Sequence, residues 1–232
     1  MLYYIVDTET AKMTGPIVDL AVIEVDANLD VIATYECLVD PQEPISPAAQ
    51  AVHGITDAMV ADAPTMAELI ARDGSPFPHD EPITVIAHNA QFDCRMLAQA
   101  GLLPANYTRA CTLKMARAIW PGLDMERCNH KLGTLAIMFG LETGPAHRAM
   151  GDTATLLNLL RHMAKVNGAA SLDDLLALGT RHIAQTDKLN FGSKHKDDLI
   201  KDVPKSYIAW MMKNVTDLDP DLKAALDIRM QG

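Results

Sequence analysis

The chain has 232 residues, of which 49% are hydrophobic, and its formal net charge is −10. This length allows one sizeable core, or one domain with a small appendage. The negative charge argues against a protein that wraps long duplex DNA through a wide basic surface, and no apolar run approaches the ~20 residues that cross a bilayer.

Most of the predicted strands precede the predicted helices. Apolar runs bounded by turn residues predict strands over residues 2–6, 17–25, 32–39 and 83–87. Apolar residues at helical spacing, with cap and stop residues, predict helices over residues 90–100, 112–120, 132–139, 152–166 and 171–178, and two short ones after Ser46 and Thr56. This order is typical of an α/β domain with a mixed sheet flanked by helices. We expect that domain over residues 1–167, a connecting segment over 168–190 and a small module over 191–232.

The composition also indicates the compartment. Residues 1–6 are too few and too uncharged for a signal peptide. The cysteines at 37, 94, 111 and 128 form no C-x-x-C pair, so they predict scattered free thiols in a reducing cytoplasm. We expect a cytoplasmic protein with no membrane partner.

The charge is distributed unevenly along the chain. Residues 188–214 contain six lysines and three aspartates, which leaves −13 for the remainder. Four of these lysines lie near Tyr207 and Trp210, and such a set could follow a nucleic-acid strand and stack its bases. The alternative is a small helical cap with a solvated lysine face, in which Tyr207 and Trp210 are packed inside.

Asp7 and Glu9 directly follow the first apolar run. On an extended strand, residues two apart share a face, so both carboxylates can reach the same metal ion. Unpaired, the two charges would destabilise that face by roughly 1 kcal/mol or less. The alternative is an ordinary polar strand end.

Asp93 is predicted in the first turn of a helix that follows a buried strand. Alone, it could be an acid favoured by the helix dipole. His88 and Asn89 lie at the turn between that strand and that helix, where they could satisfy loop backbone groups or contact a substrate. For His88 we favour the structural role.

His147 and Asp152 are five residues apart at the start of the last long predicted helix. This spacing places Asp152 in the first turn, where it can bind a metal ion, and His147 in the preceding loop. A histidine with its ordinary pKa of about 6.5 is suited to take a proton from a metal-bound water. The alternative is a solvated loop histidine.

Three motifs occur in a fixed order: Asp7-Thr8-Glu9-Thr10, then residues 88–93 (H-N-A-Q-F-D), then residues 147–152 (H-R-A-M-G-D). Together they resemble the histidine-type DEDD 3′→5′ exonucleases over residues 1–166, and the segment V-H-G-I-T at residues 52–56 resembles the same family. Residues 115–122 and the tail resemble the exodeoxyribonuclease X subfamily. The tail departs from that subfamily's F-G-K-Y-K-G-K pattern, since Lys196 replaces the second glycine and Asp197 follows.

The resemblance implies a ribonuclease H-like fold with a mixed five-stranded sheet and a site for two Mg²⁺ ions, for which Mn²⁺ can substitute. Asp7, Glu9 and Asp152 would bind one ion, with Asp7 shared between both. Asp93 would help to bind the second ion, and His147 would be the general base. The residues expected to bind the substrate are Thr8, Thr10, His53, Ile55, Asn89 and Phe92. For Phe92, a place in the core is an equal alternative.

The implied function is removal of nucleoside monophosphates from DNA 3′ ends, preferably single-stranded, in repair or proofreading. One alternative is an exoribonuclease of the ribonuclease T or oligoribonuclease type, since the 2′-hydroxyl separates the two substrates. A second is a non-catalytic nucleic-acid-binding subunit. The resemblance also allows a homodimer.

Overall fold

The computed structural model describes residues 2–121, 123, 130–180, 185, 188–189, 194–215, 218 and 220–231. Cys128, residues 191–193 at the predicted opening of the C-terminal module, and part of the predicted connecting segment lie outside the described residues. Within the described part of the chain, no helix combines the length and the apolar character needed to cross a membrane.

A mixed five-stranded sheet forms the centre of the fold, as predicted. Its strands are β1 (Leu2–Thr10), β2 (Ile17–Val25), β3 (Val31–Leu38), β4 (Ile83–Ala87) and β5 (Thr108–Cys111). They lie in the order β3-β2-β1-β4-β5. β1 pairs antiparallel with β2 and parallel with β4, and β5 is parallel to β4. β1 continues beyond its predicted end at residue 6, because Thr8 and Glu9 still pair with Leu20 and Asp19 of β2.

Both faces of the sheet are covered by helices. Side chains alternate along β1, so Tyr3 and Ile5 face one side and Tyr4 and Val6 face the other. The first side packs against α5 (Thr112–Ile119), α6 (Leu132–Phe139), α7 (Ala149–Asn167) and α8 (Leu172–Thr180). The other side packs against α3 (Met66–Asp73) and α4 (Ala90–Gln99). The sheet is therefore the middle layer of an α/β domain.

Two short helices precede these layers in the chain. They are α1 (Pro47–His53) and α2 (Asp57–Val60). Ser46 caps α1 by accepting a hydrogen bond from the Ala49 N–H, as its sequence predicts. Ile55 and Val60 pack with Ala11 and Val18 in a separate small core. This core holds the segment after α1 against the chain at the end of β1.

The chain divides into two compact units, residues 1–180 and 181–232. The first unit extends past the predicted boundary at 167, because Leu172, Leu175 and Leu176 of α8 are buried in its core. The second unit contains a 3-10 turn (Ile200–Asp202), α9 (Lys205–Asn214) and α10 (Pro220–Gln231) around a core of its own. Assignment of separate functions to residues 1–167 and 191–232 stays a prediction.

Candidate active site

Four acidic side chains from three elements meet at one edge of the sheet. Asp7 and Glu9 lie in the last part of β1, and Asp93 lies in the first turn of α4, directly after β4. Because β1 and β4 are parallel, the end of β1 and the start of α4 lie at the same edge. Asp152 lies in the first turn of α7, and its charge acts on both Asp7 and Glu9.

Asp93 is buried and is joined directly to β1. One of its carboxylate oxygens, Oδ1, accepts a hydrogen bond from the Thr8 N–H over 3.0 Å and another from the Thr8 hydroxyl over 2.9 Å. Thr8 is itself buried. Thr8 therefore fixes the position of Asp93 relative to the β1 carboxylates, and both of its donors are already used.

Burial is the largest cause of a raised pKa at each of the four carboxyls. It raises the pKa of Glu9 to about 7 and that of Asp93 to about 7. It raises the pKa of Asp7 well above its usual value, and the charges of Asp93, Asp152 and Glu9 add to this rise. Burial also raises the pKa of Asp152. A cluster of hard oxygen donors in which negative charge is unfavourable fits a divalent cation, which would offset the repulsion.

The metal-free protein should lose stability as the pH rises. An acid whose pKa is higher in the folded state contributes stability below its unfolded pKa, and this contribution is lost as the pH rises through the folded pKa. For Glu9 and Asp93, the pKa values are 4.5 and 3.8 before folding and about 7 after it. We expect the melting temperature in EDTA to fall between about pH 5 and pH 8. Addition of Mg²⁺ should raise the melting temperature more at pH 8 than at pH 5. A melting temperature in EDTA that rises over this range would contradict the prediction.

His147 lies beside this cluster, in the loop before α7. It is exposed, and its φ of 58° is in the left-handed region, which non-glycine residues rarely adopt. Its backbone N–H donates to Asp152 Oδ2 over 2.9 Å. One ring nitrogen of His147 and one carboxylate oxygen each of Glu9 and Asp152 lie within 4.8 Å of one another. The ring is therefore positioned either to exchange a proton next to the carboxylates or to bind a cation with them.

Two glycines allow the His147 loop to pack closely on α7. A Cβ atom on Gly151 would overlap the backbone of Pro145, and one on Gly144 would overlap the backbone of Gly151. Neither glycine has a positive φ, so lack of space excludes larger side chains there.

Gly151→Ala should push the His147 loop away from α7. Overpacking of this kind lowers the free energy of unfolding by about 1–3 kcal/mol. Gly133→Ala is the matched control, because it lies in α6 with nothing within 4 Å of an added Cβ. There the better helix propensity of alanine should be neutral or stabilising by up to ~1 kcal/mol. Equal unfolding free energies for the two variants in a urea titration would show that the close contact is absent.

Asp19, which was not predicted as a site residue, supports the site through the start of α7. It is fully buried in β2, opposite Glu9 of β1. Its Oδ2 accepts hydrogen bonds from Arg148 Nε over 2.9 Å and from the Ala149 N–H over 3.3 Å. Asp19 thus anchors the residue after His147 and the first N–H of α7. A charged residue inside the apolar run 17–25 was the available signal in the sequence.

The Asp19–Arg148 pair should show energetic coupling. We expect that Asp19→Asn and Arg148→Gln each alter stability, and that the double variant differs from the sum by about 0.5–3 kcal/mol, because the two side chains form one partly buried ion pair. Urea unfolding of the four proteins measures this difference. Strict additivity would mean that the ion pair does not hold α7 in place.

The predicted substrate residues near α1 are mostly buried. His53 Nδ1 accepts from the Ile55 N–H over 3.0 Å, so Nε2 carries the proton and lies 3.3 Å from the Thr10 carbonyl oxygen. Burial lowers the pKa of His53, which keeps the ring neutral. Thr10 is buried as well, and Ile55 has no exposed surface. His53 therefore ties the segment after α1 to the end of β1, and a substrate contact at Ile55 is a prediction that its packing does not support.

The predicted substrate residues at the start of α4 are more open. Asn89 is exposed with a left-handed φ of 72°. Phe92 is half-buried, packs partly against the core, and has the Arg95 guanidinium 5.8 Å from its ring centroid. His88 instead bonds to the Thr112 hydroxyl and the His130 carbonyl, and burial lowers its pKa to about 4, which fits the structural role predicted for it.

Comparison with known proteins decides the family. A family model described as Exonuclease (RNase_T) matches residues 4–160, which include all four carboxylates and His147. The chain belongs to this exonuclease family. It is similar to Exodeoxyribonuclease 10 of Escherichia coli strain K12, with 31% identity over 96% of this chain and 96% of that protein. It is also similar to the DNA polymerase III subunit epsilon of Treponema pallidum strain Nichols, with 32% identity over 70% of this chain and 78% of that protein.

Solved structures of exonucleases have the same fold. The structure described as Exonuclease X in complex with 5′ overhanging duplex DNA is 31% identical and has a TM-score of 0.59. The match covers 76% of this exonuclease chain and 99% of the other. An Escherichia coli exonuclease I in complex with single-stranded DNA has a TM-score of 0.63 at 20% identity, and this likeness concerns the fold alone. The predicted family and fold class are both confirmed.

Proposed function

We propose that this exonuclease hydrolyses DNA from the 3′ end and releases nucleoside monophosphates. The observation that carries the proposal is the convergence of Asp7, Glu9, Asp93 and Asp152 with His147 beside them. Similarity to an exodeoxyribonuclease over nearly the whole chain supports DNA as the substrate. We propose single-stranded ends as the preferred form. A cytoplasmic location and a homodimer stay predictions.

The carboxylates are suited to hold two Mg²⁺ ions, for which Mn²⁺ would substitute. Asp7, Glu9 and Asp152 would hold one ion, with Asp7 shared, and Asp93 would hold the other. When bound, such ions would supply stabilisation of the charge that develops on the attacking and leaving oxygens of a phosphodiester displacement. Oxygen ligands without cysteine favour these ions over zinc. The buried hydrogen bonds from Thr8 keep Asp93 in place for this role.

His147 is the proposed general base. A water molecule would give a proton to a ring nitrogen of His147 as its oxygen attacks the terminal phosphorus. The bond from phosphorus to O3′ of the preceding nucleotide breaks, and that oxygen then takes up a proton. The loop position suits this role, because the exposed ring lies next to Glu9 and Asp152 while their carboxylates are half-buried.

The substrate would lie against the exposed part of this edge. Asn89 and Phe92 at the start of α4 have accessible side chains and are the proposed contacts to the terminal nucleotide. Thr10 and His53 would shape the floor of the site, since both are buried and joined by a hydrogen bond.

The direct test is digestion of single-stranded DNA and of RNA of the same sequence, each labelled at the 5′ end. With Mg²⁺, we expect DNA products that shorten stepwise while they keep the label, and no products in EDTA. Faster digestion of RNA would move the enzyme to the ribonuclease alternative. Immediate release of the labelled nucleotide would overturn the 3′→5′ direction, and no digestion of either strand would overturn the proposal.

A further inference from the structure

Three aromatic rings form a continuous row in the second unit. The ring centroids of His195 and Tyr207 lie 4.7 Å apart, and those of Tyr207 and Trp210 lie 5.7 Å apart with planes inclined by 19°. His195 Nδ1 lies 2.8 Å from Asp198 Oδ2, which fixes the imidazole at the end of the row. We call His195, Tyr207 and Trp210 the aromatic row.

Helix α9 carries Tyr207 and Trp210, and Tyr207 packs partly against the core of this unit. Tyr207 and Trp210 are three residues apart, so they are neighbours on one face of the helix. Ile208 and Met211 occupy the inner side and are buried in the core of this unit. Trp210 remains 52% exposed, so the alternative in which it is packed inside is wrong. A large indole left in solvent beside a stacked tyrosine is available for binding.

Exposed lysines stand at both ends of the row. Lys194 and Lys196 flank His195 in the chain, and both are exposed. At the other end, Lys213 follows Trp210 by three residues on the same face of α9 and is exposed as well. Lys205 contributes differently, since its ammonium group donates to the Met230 carbonyl oxygen. The row therefore has lysines at each end, and at the His195 end the exposed Asp197 and Asp198 lie beside them.

We propose that the aromatic row is a second binding site, separate in sequence from the carboxylate site, for single-stranded DNA. A base would stack on the exposed Trp210, which Tyr207 supports from its other side, and phosphates would lie near Lys194, Lys196 and Lys213. Aromatic rings with flanking cations bind single strands of any sequence, because every base has a face that can stack. Only the choice of DNA over RNA rests on the proposed function.

The geometry favours an unpaired strand over a duplex. In a duplex the faces of the bases are covered by their neighbours, and only the phosphates would remain to contact the lysines. Three lysines give a weak, strongly salt-dependent attraction by themselves. An exposed indole adds affinity only when a base can unstack from its neighbours in the nucleic acid and stack on the indole. Unstacking costs little free energy in a single strand.

The test is binding of a labelled oligothymidylate of about 20 nucleotides to the full chain in EDTA, followed by fluorescence anisotropy. We expect Trp210→Ala to raise Kd by roughly 5-fold or more, because one stacked base is lost. Trp210→Phe is the matched control and should retain most of the affinity. Duplex DNA of the same length should bind more weakly than the single strand and should not respond to Trp210→Ala.

The lysines provide a second, independent measurement on variants whose surface positions should not affect folding. The double variant Lys194→Gln/Lys196→Gln should reduce the slope of log Kd against log salt by about 0.7 for each lost phosphate contact. Lys223→Gln, in α10 and outside the aromatic row, is the control. An unchanged slope together with an unchanged Kd for Trp210→Ala would overturn the proposal.

Hydrolysis of a dinucleotide separates this proposal from the proposed function. A dinucleotide can occupy the carboxylate site alone, so Trp210→Ala should cleave it at the wild-type rate. If the protein cleaves nothing but its binding of DNA still depends on Trp210, the proposed function is overturned and the proposal of a second binding site is supported. If RNA of matched sequence binds more strongly than DNA, the ligand of the aromatic row is single-stranded RNA, and the assignment to DNA is overturned.

Discussion

Replacement of His147 by alanine is expected to lower the rate of DNA hydrolysis by about 10²–10⁴, the usual contribution of a general base. The imidazole is exposed next to Glu9 and Asp152, and the loop that carries it makes its hydrogen bond through the backbone. The variant should therefore fold normally and bind DNA as the wild type does. A single-turnover assay with Mg²⁺ measures the loss.

The metal affinity of the same variant tells the two possible roles of His147 apart. If His147 is a general base, its removal should leave the Mn²⁺ affinity nearly unchanged. If it is a metal ligand, its removal should lower that affinity strongly. His79→Ala is the matched control, since His79 is an exposed histidine in another loop. Wild-type hydrolysis by His147→Ala, or a loss matched by an equal loss of Mn²⁺ affinity, would contradict the role as base.

Asp7→Asn is expected to have opposite effects on activity and on stability. The shared ligand of both proposed ions is lost, so hydrolysis should fall by roughly 10³-fold or more, since metal ions supply several kcal/mol of transition-state stabilisation. In EDTA the variant should melt at a higher temperature than the wild type. Burial and repulsion from Asp93, Asp152 and Glu9 make the charged form of Asp7 unfavourable in the folded protein, and asparagine removes that charge.

Asp26→Asn provides the control for this second prediction. Hydrogen bonds from the Asp30 and Asn28 N–H groups lower the pKa of Asp26, so loss of its charge should reduce stability and leave hydrolysis unchanged. An Asp7→Asn protein that melts below the wild type in EDTA would mean that Asp7 is favourably paired and not held under repulsion.

The elements with the clearest apolar patterns could be predicted from the sequence. β2, β4 and α6 begin and end at the predicted residues, because their apolar runs stop at turn or cap residues. β1 is longer than its apolar run, since acidic residues interrupt the hydrophobic pattern without interrupting the hydrogen bonds to β2. A strand that carries a functional site is therefore underestimated by hydrophobicity alone.

Two elements of the first unit were not predicted. β5 has only four residues, one of them Arg109, which is too short for alternation to distinguish it from a loop. α3 has a capping box in which the Thr65 hydroxyl and the Glu68 carboxylate bond to each other's backbone N–H groups. This T-x-x-E signal is present in the sequence and could have located the helix.

The candidate site was partly predictable for a physical reason. Asp7 directly follows an apolar run, and Asp93 and Asp152 lie in the first turns of helices, so their local patterns identify them. Asp19 acts through Arg148, which is 129 residues away in the chain, and no local pattern reports such a contact. The hydrogen bonds from Thr8 to Asp93 likewise form only when β1 and α4 come together.

The central claim is that Asp7, Glu9, Asp93 and Asp152 together hold two ions, with His147 free to act as a base. Crystals grown with Mn²⁺ and a nucleoside monophosphate test it directly through anomalous scattering. We predict two peaks about 3.5–4 Å apart, with a carboxylate oxygen of Asp7 bound to both ions. A single peak bound by Glu9, His147 and Asp152, with Asp7 and Asp93 unliganded, would contradict the account.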